Sequence, residues 1–395
     1  MDPSQPPHHL YVHVPFCRLV CAYCDFVTLG GRADDIPRYA DALLRELAAR
    51  PAPGELRTIY FGGGTPSLLN GAQVGLVIRA ATARWRHVAL EEVTVEANPS
   101  ERETPDWVGF RQVGVTRISL GVQSLRDEEL AALARGHTAR EGRAAFASAR
   151  EAGFNNVGID LIYGIPGQSL TDWREGLEVA LALRPDHLSC YALQLAHEPD
   201  EWAAPPRSGA LRWRQRMVQR QDDTLAAEQY RLAEEVLDAA GYRHYELSSW
   251  ALPGKESRHN SAYWARRAYT GIGAGAHSYD GGAERSWNTR DLDAYLQVAE
   301  MDERPIADSE TLDEPARAFE AIALGLRRVD GLSRQAFAHE FGTEPLERFA
   351  TPVREATADD LIEVRGDAVR LTPSGRLLAS EALLAFTPGA AARRG

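Results

Sequence analysis

At 395 residues the chain is too long for one ordinary compact domain, so one large and one small unit are expected, and its 44% apolar residues suffice for a core. The formal net charge of -12 argues against a nucleic-acid binder, which needs a basic face to neutralise phosphates, so no nucleic-acid partner is expected. Lys255 is the single lysine among 44 basic residues, a bias best read as codon usage. The start, Met1-Asp2-Pro3-Ser4-Gln5, lacks the basic and apolar stretches of a secretory signal, and no run of about eighteen apolar residues is present to span a bilayer. Four cysteines in such a length is a cytosolic usage, so a cytoplasmic protein is expected, with a peripheral membrane contact left open.

In chain order, residues 10–14 read as a strand that runs into Cys17-Arg18-Leu19-Val20-Cys21-Ala22-Tyr23-Cys24. A C-x3-C-x2-C cluster of thiolates can hold three irons of a cubane and leave the fourth without a protein ligand. The alternative is structural zinc, which wants four closed ligands, and here the fourth would be His13 on the preceding strand.

A helical pattern over 35–50 carries Leu43, Leu44 and Leu47 on one face. A second strand at 57–61 is followed by Gly62-Gly63-Gly64-Thr65-Pro66-Ser67 and a helix over 72–85. Strands follow at 92–97, 117–121, 157–162 and 187–193, with helical stretches near Trp107 and over 141–151 and 172–183 between them. This repetition predicts an α/β fold with a parallel sheet and right-handed crossovers, and six such units predict a partial (β/α)6 barrel rather than a closed eightfold one. Barrel chemistry sits at the carboxyl ends of strands, where the cysteines and the glycine run fall.

A helix over 221–240 leads to a further strand at 242–247. Residues 258–278, dense in aromatics and glycine, read as a loop wrapping a site rather than as another unit. Helices at 317–327 and 333–341, a hairpin over 362–371 turning at Gly366-Asp367, and a helix at 374–385 predict a small winged-helix-like domain, for which packing is the preferred role. The expected division is 1–250 core barrel, 251–309 connecting segment, 310–386 C-terminal domain and 387–395 tail. Gly271-Ile272-Gly273-Ala274-Gly275-Ala276 satisfies a dinucleotide pattern, but no clear strand precedes it and Gly281-Gly282 would interrupt the helix it needs.

With Tyr11 ahead of the first cysteine and Tyr23 before the last, the motif resembles the radical S-adenosylmethionine (SAM) superfamily, in particular the branch of oxygen-independent coproporphyrinogen III oxidases and HemW-like heme chaperones. The resemblance covers residues 10–386 and implies a [4Fe-4S] cluster on Cys17, Cys21 and Cys24 with SAM at the open iron. The glycine run matches the family's GGGTP motif, which implies contacts from Gly63, Gly64 and Thr65; without side chains there, backbone carbonyls can approach the SAM ammonium. Glu96 ends the third strand and Gln123 follows the fourth, both where a barrel delivers polar groups to its mouth. Asp160 lies among apolar residues, where a charge is costly unless paired with a ligand hydroxyl or an arginine, and Arg135 has the planar fork to meet a carboxylate. A structural salt bridge or cap would account for each of these equally well; the family pattern selects Glu96, Gln123, Arg135 and Asp160 as SAM-binding positions, with Tyr11, Tyr23 and Ala192 carried over beside them. The fourth cysteine, Cys190, reads as a small buried side chain.

Two positions separate the relatives. Oxidases of this branch typically carry a further cysteine two places after the third cluster cysteine, whereas Cys24 is followed by Asp25-Phe26. The chaperone signature His-Asn-x-x-Tyr-Trp is present as His259-Asn260-Ser261-Ala262-Tyr263-Trp264, with serine where glutamine is frequent. That segment offers an imidazole for heme iron, flat surface from Tyr263 and Trp264, and Arg258, Arg266 and Arg267 for propionates; the alternative is an aromatic loop closing the barrel with His259 merely hydrogen-bonded. The resemblance thus implies a heme chaperone passing heme to an acceptor protein. The enzymatic alternative is radical decarboxylation of coproporphyrinogen, and a third reading is a zinc-stabilised regulator.

Overall fold

A computed structural model describes residues 7–85, 89–100, 104–195 and 209–387. The first two thirds alternate strand and helix: β1 Pro7–Val14, α1 Ile36–Ala49, β2 Glu55–Gly63, α2 Gly71–Arg84, β3 Glu92–Ala97, α3 Trp107–Gln112, β4 Arg117–Gln123, α4 Asp127–Ala132, α5 Ala139–Glu151, β5 Val157–Tyr163, α6 Leu170–Ala182 and β6 His187–Ala192. Helix starts follow the local chemistry. Asn70 with Gln73, Thr138 with Glu141, and Ser169 with Asp172 form reciprocal caps that satisfy the otherwise orphaned first amides of α2, α5 and α6.

β1 to β6 pair in parallel, as expected, each with the next in chain order. Along each strand one face is apolar: Leu10 and Val12 on β1, Ile59 and Phe61 on β2, Ile118 and Leu120 on β4, and Ile159 and Leu161 on β5 are fully buried under the helices. Leu43 and Leu47 of α1 join the same core, each burial contributing roughly 1.5–3 kcal/mol. Cys190, as expected, is a packing residue in this core, and burial pushes its thiol pKa up.

The continuation departs from expectation. After α7 Ala210–Val218 and α8 Asp223–Ala239, β7 Arg243–Glu246 pairs antiparallel with β8 Ser249–Ala251, which in turn pairs antiparallel with β6. The segment expected to be a loop instead forms α9 Arg258–Trp264, β9 Ala268–Ile272 and β10 His277–Tyr279, and β9 pairs in parallel with the outer edge of β1. β11 Glu284–Asn288 and β12 Ile306–Thr311, with α10 Leu292–Glu300 between them, extend this edge antiparallel. The result is one 12-stranded sheet in the order β12-β11-β10-β9-β1-β2-β3-β4-β5-β6-β8-β7, whose first and last strands do not pair with each other. A strand therefore does precede the glycine-rich fingerprint. It turns back as an antiparallel pair, with Gly273 and Gly275 at positive φ, so no helix N-terminus is presented to a phosphate.

The glycine turn is fixed from below. Glu46 of α1 accepts from the Gly273 amide and the Tyr295 hydroxyl at 2.8 Å each and pairs with Arg50, while Asn288 bridges Glu46 and the Gly273 carbonyl. The C-terminal part, with α11 Glu314–Gly325, α12 Arg334–Phe341 and a three-stranded sheet of 332–333, 362–365 and 368–371, has its own core around Ile322, Phe337, Val369 and Phe386. Among the described residues no helix is long and apolar enough to cross a membrane.

Candidate cluster and cofactor site

Because strand side chains alternate, the face opposite the apolar core is polar: Thr58 and Tyr60 on β2, Glu96 on β3, Arg117 and Ser119 on β4, Asp160 on β5 and Ser189 on β6. Polar residues inside a barrel are costly unless they serve one another or a ligand. At the carboxyl ends of these strands lies a cavity of about 480 Å³, within the size range of small-molecule sites. Its lining brings together Cys17, Cys21, Tyr23, Cys24, Gly63, Gly64, Glu96, Gln123, Arg135, Asp160 and Ala192.

Two of the sequence-derived residues stand behind this wall. Thr65 Oγ1 donates to Cys17 Sγ at 3.5 Å and accepts from Asn98 Nδ2 at 2.8 Å. Arg135 then closes an arc, donating to Asn98 Oδ1 at 2.9 Å, to Cys21 Sγ at 3.0 Å and to the Tyr23 hydroxyl at 3.3 Å. Tyr11 lies deeper, its hydroxyl 3.0 Å from His13 Nδ1 and its ring beside Tyr60 and His259. His13 Nε2 donates to the Val27 carbonyl at 2.8 Å, so Nδ1 is the acceptor from Tyr11 and the ring ties down the far end of the cysteine loop. That engagement removes the fourth ligand on which the zinc reading depended.

The residues fit the implied groups in donor chemistry and in shape. Three thiol sulfurs, at 17, 21 and 24, are the soft donors an iron-sulfur cluster takes. Gly63 has φ +111°, and a Cβ there would stand 2.5 Å from the His13 ring; at Gly64 it would stand 2.8 Å from the Pro15 and Phe16 carbonyl oxygens. Only glycine lets this backbone pack so closely against the His13 ring and the Pro15 and Phe16 carbonyls at the cavity's edge. Gln123 holds φ +65° at a bulge between β4 and β5, which re-aims the strand end toward the mouth.

Glu96 is a strongly perturbed carboxylic acid in the cavity. Burial pushes its pKa up to about 7, against hydrogen bonds from the Tyr60 hydroxyl at 2.6 Å and the Gly63 amide at 3.2 Å that favour the charged form. Asp160 is also raised by burial, offset by Ser189, Arg117 and Ser119, whose hydroxyl lies 3.3 Å away. Arg117, fully buried in the lumen, was not singled out by sequence reasoning, nor were Asn98 and Arg214. Arg214 of α7 donates to the Ala22 and Cys24 carbonyls at 3.0 and 3.2 Å and pairs with Asp25, clamping the cysteine loop from outside.

The segment 259–264 divides in two. His259 is fully buried, with Nδ1 at 2.7 Å from Thr58 Oγ1 and Nε2 at 2.9 Å from the Tyr263 hydroxyl, so in this arrangement both ring nitrogens are engaged within the fold. Burial holds its pKa well below the ordinary value. Asn260 lies on the first turn of α9, its amide bonded to the Ser257 cap. Tyr263 and Trp264 line a second cavity, bounded by β9 to β11.

Residues 11–180 match the radical SAM superfamily and residues 312–378 match the HemN C-terminal domain. The chain is 36% identical to the heme chaperone HemW of Mycobacterium tuberculosis over 95% of its own length and 94% of the relative's. To the heme chaperone HemW of Escherichia coli it is 33% identical over 96% and 98%, and to that of Bacillus subtilis 32% over 95% and 98%. Among solved structures, the radical SAM enzyme coproporphyrinogen III oxidase (HemN) of Escherichia coli superposes with a TM-score of 0.80 at 24% identity, covering 97% of this chain and 90% of that one. That likeness fixes the fold, and the C-terminal part belongs to it.

Proposed function

The chain belongs to the heme chaperone HemW family of the radical SAM superfamily, and from that premise we propose that it carries a [4Fe-4S] cluster on Cys17, Cys21 and Cys24, binds SAM beside it, and takes up heme for delivery to an acceptor protein. The observation that carries this reading is the convergence of three cysteine sulfurs, a side-chain-free glycine edge and four separate strand ends on one cavity. When bound, such a cluster supplies SAM with an unliganded iron and an electron.

The chain's own residues do the holding. Gly63 and Gly64 admit close backbone approach, Glu96 and Asp160 serve as acceptors, and Arg135 and Gln123 serve as polar contacts at the mouth, with Tyr23 and Ala192 completing the wall. Thr65 orients Cys17 rather than meeting the ligand, and Tyr11 braces His13 beneath. Asn260, Tyr263 and Trp264 belong to the heme-handling segment, where His259 fixes the Tyr263 hydroxyl. A reducing, cytoplasmic setting suits such a cluster.

Heme titrated anaerobically into the cluster-loaded chain is expected to give a shifted Soret band at about one heme per protein, and a spectrum equal to free heme overturns the heme reading. Incubation with coproporphyrinogen, SAM and a reductant is expected to yield no protoporphyrinogen, since Asp25-Phe26 stands where the decarboxylating relatives carry a further cysteine. Robust turnover would replace the chaperone reading with the enzymatic one.

A further inference from the structure

The second cavity, of about 560 Å³, holds chemistry that the cluster site does not use. It lies where β9, β10 and β11 continue the polar face of the sheet past β1. Register places Tyr269 opposite Tyr279, Tyr279 opposite Arg285, and His277 opposite Trp287, so these side chains share one face. The end of α9 adds Tyr263, Trp264, Arg266 and Arg267, and α11 closes the far side through Glu320 and Leu324. The walls are aromatic and the cations arginine, a combination suited to a flat apolar body with anionic edges.

Two features separate this cavity from an ordinary ion-paired groove. Arg285 is engaged by Glu310 and Glu320, and Arg266 by Glu340 and the Tyr279 hydroxyl, but Arg267 is exposed and makes no side-chain hydrogen bond or ion pair among the described residues. The His277 imidazole is likewise exposed, stacked on Trp287 at 5.7 Å, with no hydrogen bond to its ring nitrogens among the described residues. His259 offers the contrast, being enclosed and bonded at both nitrogens.

Resting on the heme reading given above, we propose that the heme is received in this second cavity, with His277 as the ligand to its iron, Arg267 on its carboxylates, and Tyr263, Trp264 and Trp287 as its walls. His259 is then a positioning residue that sets Tyr263. The signature segment contributes surface, and the imidazole comes from a strand thirteen residues beyond its end.

The test is anaerobic heme titration of the full, cluster-loaded chain, read by the Soret band and by resonance Raman of the iron-histidine stretch. Wild type is expected to show a histidine-ligated iron. His277→Ala is expected to lose that signature and bind heme at least tenfold more weakly, with added imidazole restoring ligation and with iron and sulfide content unchanged, which rules out misfolding. His259→Ala is expected to keep the ligation signature. If His277→Ala retains the wild-type spectrum while His259→Ala loses it, the proposal falls and the heme reading survives with the other ligand. If wild type itself leaves the heme spectrum unchanged, both fall.

Discussion

Glu96 is the residue on which pH acts most directly at the cluster site. Burial raises its pKa to about 7, so its carboxylate is only partly formed at neutral pH. SAM is a cation, and in the proposed binding mode it favours the ionised carboxylate; affinity is therefore expected to rise about tenfold between pH 6 and pH 8, as the ionised fraction does. Calorimetric titration of SAM into the cluster-loaded chain checks this, with Glu96→Gln weak and nearly flat across the range. Gly64→Ala tests the close approach separately. Its Cβ would stand 2.8 Å from two backbone carbonyl oxygens, so the loop must shift, and SAM affinity is expected to fall tenfold or more by the same titration. At this scale the sequence was informative wherever a residue belongs to a local motif. The cysteines and the glycine run meet in one cavity because each follows directly from a strand end. Asn98, Arg117 and Arg214 were invisible because their partners lie far along the chain: Arg214 reaches a carbonyl 192 positions away, and nothing in its neighbours announces it.

Among elements, the cysteine loop is held at both flanks, by His13 on β1 and by Arg214 on α7. Removing the α7 clamp with Arg214→Ala leaves the three thiols in place but frees the Ala22 and Cys24 carbonyls. Loss of two charged hydrogen bonds, on the order of 1–3 kcal/mol, is expected to speed chelator-driven loss of the cluster about tenfold, followed by visible absorbance. An unchanged rate would show the loop to be held by its own turns. The elements from β1 to β6 were legible because apolar and polar residues alternate with strand period and the helices between them carry caps. The stretch 258–278 was misread as a loop because β9 has glycine where its neighbours crowd it. A Cβ at Gly271 would lie 2.0 Å from the His277 carbonyl oxygen, so the strand lacks the side chain that marks its period.

For the whole molecule, buried histidines set the acid response. Burial holds His8, His9, His13 and His137 at about 4, and His187 and His259 well below the ordinary 6.5. A histidine whose folded pKa is depressed stays neutral in the fold while the unfolded chain takes up the proton. Its stabilisation is complete above about 6.5 and is lost as pH falls toward 4. Glu96, Glu129 and Asp160, raised by burial, act in the opposite sense, but the histidines outnumber them. The melting temperature is expected to drop by several degrees from pH 7 to pH 5 in scanning calorimetry, and a rise would contradict the balance. Six parallel units were anticipated from the sequence, but the full sheet was not, since its antiparallel extensions are short strands whose pairing is decided by tertiary contact.

The most direct test of the account is the iron and sulfide content of the chain purified and reconstituted without oxygen, beside a variant with Cys17, Cys21 and Cys24 all changed to alanine. The account predicts about four irons and four sulfides per chain in the wild type and neither in the variant, with the reduced cluster's EPR signal altered by SAM. Stoichiometric zinc without sulfide, or a cluster that persists in the variant, would contradict it.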